Sequence, residues 1–157
     1  MTDYQLTRGE QAALQRVFPG ADTGNPVERQ TLLDLIEAER ADHAAYRMLA
    51  SGTRGQTRRL LMELAADEAK HMRRLSAHCF LRYGSWPQPA SCALPRPAGC
   101  GRKLWAQLRE HYQDELAGAN TYARLAAAEQ GELRYLLEDL AKDELRHSRI
   151  LLQILEQ

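Results

Sequence analysis

The stretches Asp67-Glu68-Ala69-Lys70-His71 (DEAKH) and Asp143-Glu144-Leu145-Arg146-His147 (DELRH) decide how this chain is read. Each sets an acid, a second acid and, three residues on, a histidine among leucines that recur at helical spacing. Residues i and i+3 of a helix share a face, so Glu68 with His71 points the same way as Leu61, Leu64 and Leu75, and Glu144 with His147 the same way as Leu137, Leu140 and Leu151. Both pairs are therefore aimed at a core. A single ExxH reads better as a solvated ion pair on a helix surface. Two of them in matching apolar settings require something else.

The two stretches lie 76 residues apart (143 − 67), and the same offset aligns their surroundings without a gap. Glu39 falls on Glu115, Tyr46 on Tyr122, Leu49-Ala50 on Leu125-Ala126, Gly55 on Gly131 and Leu60-Leu61 on Leu136-Leu137. A turn glycine and buried polar residues in one register indicate a duplicated helical hairpin with pseudo-two-fold symmetry.

Proline, glycine and capping signals divide the chain accordingly. Thr7-Arg8-Gly9-Glu10 has the form of a capping box and opens a short helix that ends near Phe18. Asn25-Pro26-Val27-Glu28 offers an N-cap, a proline at the first helical position and an acid in the first turn. Four long helices are expected over about 26–51, 56–83, 102–128 and 130–155, with Leu32, Leu35, Ile36, Tyr46 and Leu49 on the inner stripe of the first and Leu133, Leu136, Leu140, Leu151 and Ile154 on that of the fourth. Residues 84–101, with four prolines and three glycines, read as a connector. The expected fold is all-α: a lead-in with a short helix (1–25), then one four-helix bundle (26–157) built from hairpins 26–83 and 102–157.

Helix rise places the polar residues. Glu39 lies 14 residues before Thr53 and Glu68 lies 15 after it, so at ~1.5 Å per residue both stand about 20 Å from their turn. Glu115 and Glu144 keep the same separation of 29 residues as Glu39 and Glu68 (144 − 115 and 68 − 39). The Pro-rich connector reaches about 50 Å at ~3.1 Å per residue, more than the ~40 Å of a 26-residue helix, so it can cross the whole bundle. That crossover between the second and third long helices makes them parallel and brings Glu39, Glu68, His71, Glu115, Glu144 and His147 into one layer. Four carboxylates and two neutral imidazoles carry a charge of −4, which two divalent cations cancel. Mixed oxygen and imidazole donors suit iron, manganese or zinc.

Composition narrows the partners. Lys+Arg and Asp+Glu are both 21, which gives no basic field for nucleic acid. No apolar run approaches the ~18 residues that a bilayer requires and the start has no signal-peptide pattern, so a cytoplasmic protein without a membrane partner is expected. Cys79, Cys92 and Cys100 form no CxxC pair and read as free thiols, with a Cys92–Cys100 bridge as the alternative.

With these residues in place, the chain resembles the ferritin-like dimetal-carboxylate proteins and, among them, the rubrerythrins, over about residues 30 to 155. The resemblance implies a ferritin-like bundle with a Glu on the first and third helices and an ExxH on the second and fourth, matching the six residues above. It also implies that Tyr46 and Tyr122, each seven residues after a Glu, hydrogen-bond ligand carboxylates of the opposite hairpin and serve catalysis; core packing is their plainer reading. Asp67 and Asp143 resemble acids that orient a histidine across the pseudo-two-fold, with a surface role as the alternative. Rubrerythrins usually add a rubredoxin-like domain with two CxxC pairs; none occurs here, so electrons would come from an external donor protein. Their additional third-helix glutamate is replaced by Gly118, whose repeat mate Asp42 is a candidate seventh ligand. His43, His78 and His111 have no histidine at the repeat position and are expected on the surface or beside ligands, while Trp86 and Trp105 are expected to pack the connector on the bundle.

The function so implied is a di-iron oxidoreductase that reduces hydrogen peroxide, or oxidises ferrous iron with peroxide or dioxygen, with two divalent ions per chain; a homodimer is a candidate assembly, and the sequence offers no sharp interface for it. The alternatives are a metal-binding or metal-handling bundle without turnover, and a structural bundle whose site is vestigial or holds zinc.

Overall fold

The structure is a computed structural model that describes residues 27–88 and 104–156. The expected short helix at 7–18, most of the connector, Cys92 and Cys100 lie outside the described residues. Among the described residues the chain forms four helices and no strand: α1 Arg29–Ser51, α2 Gly55–Tyr83, α3 Leu104–Ala128 and α4 Gly131–Leu155. None of them is long and apolar enough to cross a membrane.

Apolar residues at helical spacing produce these elements. On α4 the buried positions are Leu133, Leu136, Leu137, Leu140, Ala141, Glu144, His147, Ser148, Leu151 and Ile154, a single stripe with period near 3.6. On α2 the stripe runs Leu61, Leu64, Ala65, Glu68, His71, Leu75 and Cys79. Leu35, expected on the inner face of α1, is only partly buried. α1 packs on α2 and α3 on α4 as two hairpins.

The two hairpin turns repeat one backbone. Thr53 N–H donates to Ala50 O and Glu129 N–H to Ala126 O, both at 3.2 Å. Arg54 (φ −139°, ψ 171°) and Gln130 (φ −130°, ψ 171°) are extended, and Gly55 (φ 60°) and Gly131 (φ 64°) then take the left-handed conformation that an L side chain resists. The sequence repeat is thus a conformational repeat.

Contacts across the hairpins fix helix directions. Between α2 and α4, Glu63 meets Arg146, His71 meets Asp143 and Arg74 meets Asp139, so the numbering runs opposite and the helices are antiparallel. Between α1 and α3, Glu39 meets Tyr122 and Tyr46 meets Glu115, again antiparallel. It follows that α2 and α3 are parallel, and that Tyr83 and Leu104 stand at opposite ends of the bundle.

The core is split in two. One apolar cluster, at the Tyr83 end, holds Leu32, Ile36, Leu75, Cys79, Tyr122 and Leu137; the other, at the Leu104 end, holds Tyr46, Leu49, Leu61, Leu64, Leu108 and Leu151. The six predicted ligands lie between them.

α1 begins at Arg29, three residues after the position that Asn25-Pro26 predicted. Its entry is held from elsewhere: the Val27 N–H donates to the buried Glu129 carboxylate, and the Tyr83 hydroxyl donates to Val27 O at 3.1 Å.

A Cβ on Gly55 would meet no heavy atom within 4 Å, so Gly55→Ala tests the backbone conformation alone. Each of Gly55→Ala and Gly131→Ala is expected to cost about 1 kcal/mol, and the double variant about the sum because the turns lie at opposite ends. Urea unfolding midpoints at constant m-value measure this; a neutral Gly55→Ala would contradict it.

Candidate metal centre

Four helices each send one carboxylate inward at the same level. Glu39 comes from α1, Glu68 from α2, Glu115 from α3 and Glu144 from α4, and His71 and His147 follow one turn along α2 and α4. None of the six is more than 5% exposed. They form two groups whose donor atoms lie within 4.8 Å of one another: Glu39, Glu68, His71 and Glu144 in one, and Glu115, Glu68, His147 and Glu144 in the other.

The shared members face both ways. His71 Nδ1 lies 3.1 Å from Glu39 Oε2, 3.1 Å from Glu68 Oε2 and 3.2 Å from Glu144 Oε1. His147 Nδ1 lies 2.8 Å from Glu68 Oε1, 3.4 Å from Glu115 Oε2 and 3.4 Å from Glu144 Oε2. Glu68 and Glu144 therefore give one oxygen to each group. Donors about 2.1 Å from a common ion and at right angles to one another stand about 3.0 Å apart, which is the spacing observed. Glu68 Oε1, Glu144 Oε1 and His147 Nδ1 are buried without a hydrogen bond, although each has an oppositely polarised neighbour. Orphaned donors of this kind in a buried site fit a cation.

Surrounding groups hold the carboxylates. The Tyr46 hydroxyl donates to Glu115 and the Tyr122 hydroxyl to Glu39, each bond joining opposite hairpins. Burial first, and the facing glutamate second, raise both phenols well above 10, so they remain donors. On the outer side, His71 Nε2 lies 3.1 Å from Asp143 Oδ2, and His147 Nε2 lies 3.7 Å from Asp67 Oδ2.

Protons can balance the layer. Burial, reinforced by neighbouring carboxylates, raises Glu39 to about 8 and Glu115 to about 9. Burial opposes charge on His147, but Glu115, Glu144 and Glu68 outweigh it and raise the imidazole to about 12; His71 is raised by Glu144, Glu39 and Glu68 in the same way. Burial also opposes charge on Glu68 and Glu144, yet the two histidines facing them win and lower them. The raised carboxyls and the raised imidazoles both act to reduce the negative charge of the layer near pH 7.

The remaining candidates fall outside both groups. Asp42 stands 3.8 Å from His111 Nδ1, and His111 packs on the Tyr46 ring at 5.1 Å. Burial and the charges of Glu68 and Glu144 raise Asp42 to about 7. His43 Nδ1–H donates to Ala65 O at 2.6 Å, a backbone tie from α1 to α2. His78 joins neither group, and burial lowers its pKa. A Cβ on Gly118 would touch Glu144 at 3.6 Å, so the third helix lies against a shared ligand at this point. Cys79 is a buried thiol. Trp86 stacks on Phe80 at 5.1 Å, while Trp105 is 43% exposed.

Two functional neighbours escape a reading of the sequence. Arg146 NH2 donates to Asp67 Oδ2 at 2.5 Å and its Nε to Asp143 Oδ1 at 3.3 Å, tying both acids together. Its only signal is a mismatch in the repeat, since Lys70 stands at the corresponding position. Glu129, which holds the start of α1, corresponds to Thr53 and gives no signal at all.

Searches against protein-family models, curated proteins and solved structures give no match to this chain.

For chelator-treated protein, the melting temperature is expected to fall as pH rises from about 6 to 9.5. The raised values of Glu39, Glu115 and His147 mean that the native chain binds more protons than the unfolded chain over this window, so the stability they contribute is lost upward. The lowered Glu68 and Glu144 act oppositely, and only below about 4.5, as pH falls through their depressed values. Circular-dichroism melts measure the slope, and a Glu39→Gln/Glu115→Gln variant is expected to flatten it; identical slopes would refute the assignment.

Proposed function

We propose that this chain is a ferritin-like dimetal-carboxylate oxidoreductase of rubrerythrin type. It binds two divalent ions, iron first, and either reduces hydrogen peroxide with electrons from an external donor protein or oxidises ferrous iron with peroxide or dioxygen as the electron acceptor. The observation that carries this reading is the sharing of Glu68 and Glu144, each with one oxygen toward His71 and the other toward His147. Two divalent cations would use all of these donors, with Glu68 and Glu144 available to both, whereas one central cation would leave half of them turned away. Further support comes from the opposite placement of Tyr83 and Leu104, which the crossover of that fold would join.

A pair of redox-active ions supplies two electrons, the number needed to cleave the O–O bond of peroxide and yield two waters with two protons. The chain's own part is positional. Glu39 with His71, and Glu115 with His147, would hold an ion at each end of the layer, and Glu68 and Glu144 would serve both. Tyr122 and Tyr46 pin Glu39 and Glu115 through their hydroxyls and keep protons beside them. The leucine clusters above and below exclude water. Binding of two divalent ions displaces the protons on Glu39, Glu115, His71 and His147, so affinity weakens as pH falls.

A second reading, a metal-handling bundle without turnover, draws support from Gly118, which leaves α3 without a further carboxylate against Glu144. Elemental analysis of protein purified without added metal, followed by anaerobic ferrous loading and a peroxide pulse, separates the two. The expected result is iron or manganese near two per chain and peroxide consumed stoichiometrically. Glu68→Ala removes one donor from each group and is expected to leave less than one ion per chain and no fast phase. Tyr122→Phe is expected to retain the fold and lose about tenfold in affinity or rate. Tight binding without peroxide consumption would favour the second reading, and zinc alone or no metal would sink the first.

A further inference from the structure

Resting on the dimetal reading, we infer that Arg146 makes the two metal positions unequal: the His71 position binds its ion more tightly than the His147 position, and fills first. The repeat predicts equal halves, and the ligands themselves obey it. The asymmetry arises one layer out.

A histidine that binds through Nδ1 turns Nε2–H away from the ion, and a carboxylate that accepts that proton strengthens the nitrogen as a donor. On the His71 side this arrangement is complete, with Asp143 Oδ2 3.1 Å from Nε2. Arg146 touches Asp143 only through the other oxygen, Oδ1, at 3.3 Å. On the His147 side the corresponding acid is occupied. Asp67 Oδ1 accepts from Lys70 Nζ at 2.6 Å and Asp67 Oδ2 accepts from Arg146 NH2 at 2.5 Å, so Nε2 of His147 stands 3.7 Å from Asp67, beyond hydrogen-bond reach. Its nearer neighbour is the guanidinium itself, at 3.2 Å. A guanidinium has five N–H donors and no acceptor, so it cannot take the imidazole proton, and its positive charge opposes a cation on the far side of the ring.

Around Nδ1 the carboxylate oxygens lie at 3.1, 3.1 and 3.2 Å from His71 and at 2.8, 3.4 and 3.4 Å from His147, so the inequality between the positions comes from the outer contacts. Lys70, at the register of Arg146, pairs with Asp67 of its own helix. One long side chain on one side thus breaks the pseudo-two-fold.

Calorimetric titration of the chelator-treated full chain with Co2+ tests this. Two steps separated by at least about tenfold are expected in the wild type. Glu39→Gln should abolish the tighter step and Glu115→Gln the weaker one, which assigns them. Arg146→Gln should tighten the weaker step about tenfold and leave the tighter one in place, because Asp67 becomes free to accept from His147. Any repulsion between the ions is common to both proteins and cancels. Asp143→Asn should weaken the tighter step about tenfold, while Asp67→Asn should change the weaker step by much less; a merely structural role for these acids would not discriminate between steps. Arg146 is 39% exposed, so its replacement spares the core. Equal steps, or a separation unchanged by Arg146→Gln, would overturn the inference while leaving the dimetal reading intact. No Co2+ binding in any protein would overturn both.

Discussion

Repulsion among four buried carboxylates is the constraint to which the rest of this bundle answers. Two unit charges about 4 Å apart repel by about 4 kcal/mol at an effective dielectric constant of about 20, and Glu39, Glu68, Glu115 and Glu144 stand together where none exceeds 5% exposure. Leucine in these positions would have joined the two apolar clusters into one continuous core. The chain keeps charge there and surrounds it with compensation: two histidines, two tyrosine hydroxyls, and acids behind the histidines that are themselves neutralised by Lys70 and Arg146. Such a layer lowers the stability of the fold relative to an apolar one, and its donor atoms are spaced as a bound cation requires.

That layer also determines how the hairpins dock. Tyr46 reaches Glu115 and Tyr122 reaches Glu39, so each hairpin supplies the hydrogen bond that fixes the other's terminal carboxylate. The closest backbone approach between hairpins is between α2 and α4, the helices that carry the histidines. Polar bonds set the register and the leucine clusters supply the cohesion, which is a division of labour suited to a site that must stay aligned over a few tenths of an ångström.

Much of this was legible before any coordinates. Glu68, His71, Glu144 and His147 stand out because they occupy positions of an apolar stripe, and the 76-residue offset then picks out Glu39 and Glu115, which alone would pass for surface acids. The helices follow from periodicity, and their turns from Gly55 and Gly131. What escaped depends on tertiary distance. Glu129 holds Val27 from 102 residues away, and α1 starts at Arg29, later than Asn25-Pro26 implied. Asp42, at the right spacing for a seventh ligand, lies beside His111 and outside both donor groups. Arg146 has several acids within the reach of its long side chain, and only the packing of α2 on α4 selects Asp67.

The shared glutamates have a consequence for ancestry. Three donors of each group come from one hairpin and the fourth, Glu144 or Glu68, from the other, so neither hairpin completes a group by itself. Two identical copies of one hairpin, associated about a rotation axis, would complete both. Such a self-paired peptide would supply both donor groups and both tyrosine–glutamate bonds across the axis, and fusing its genes end to end would then free each copy to diverge, as Lys70 and Arg146 illustrate.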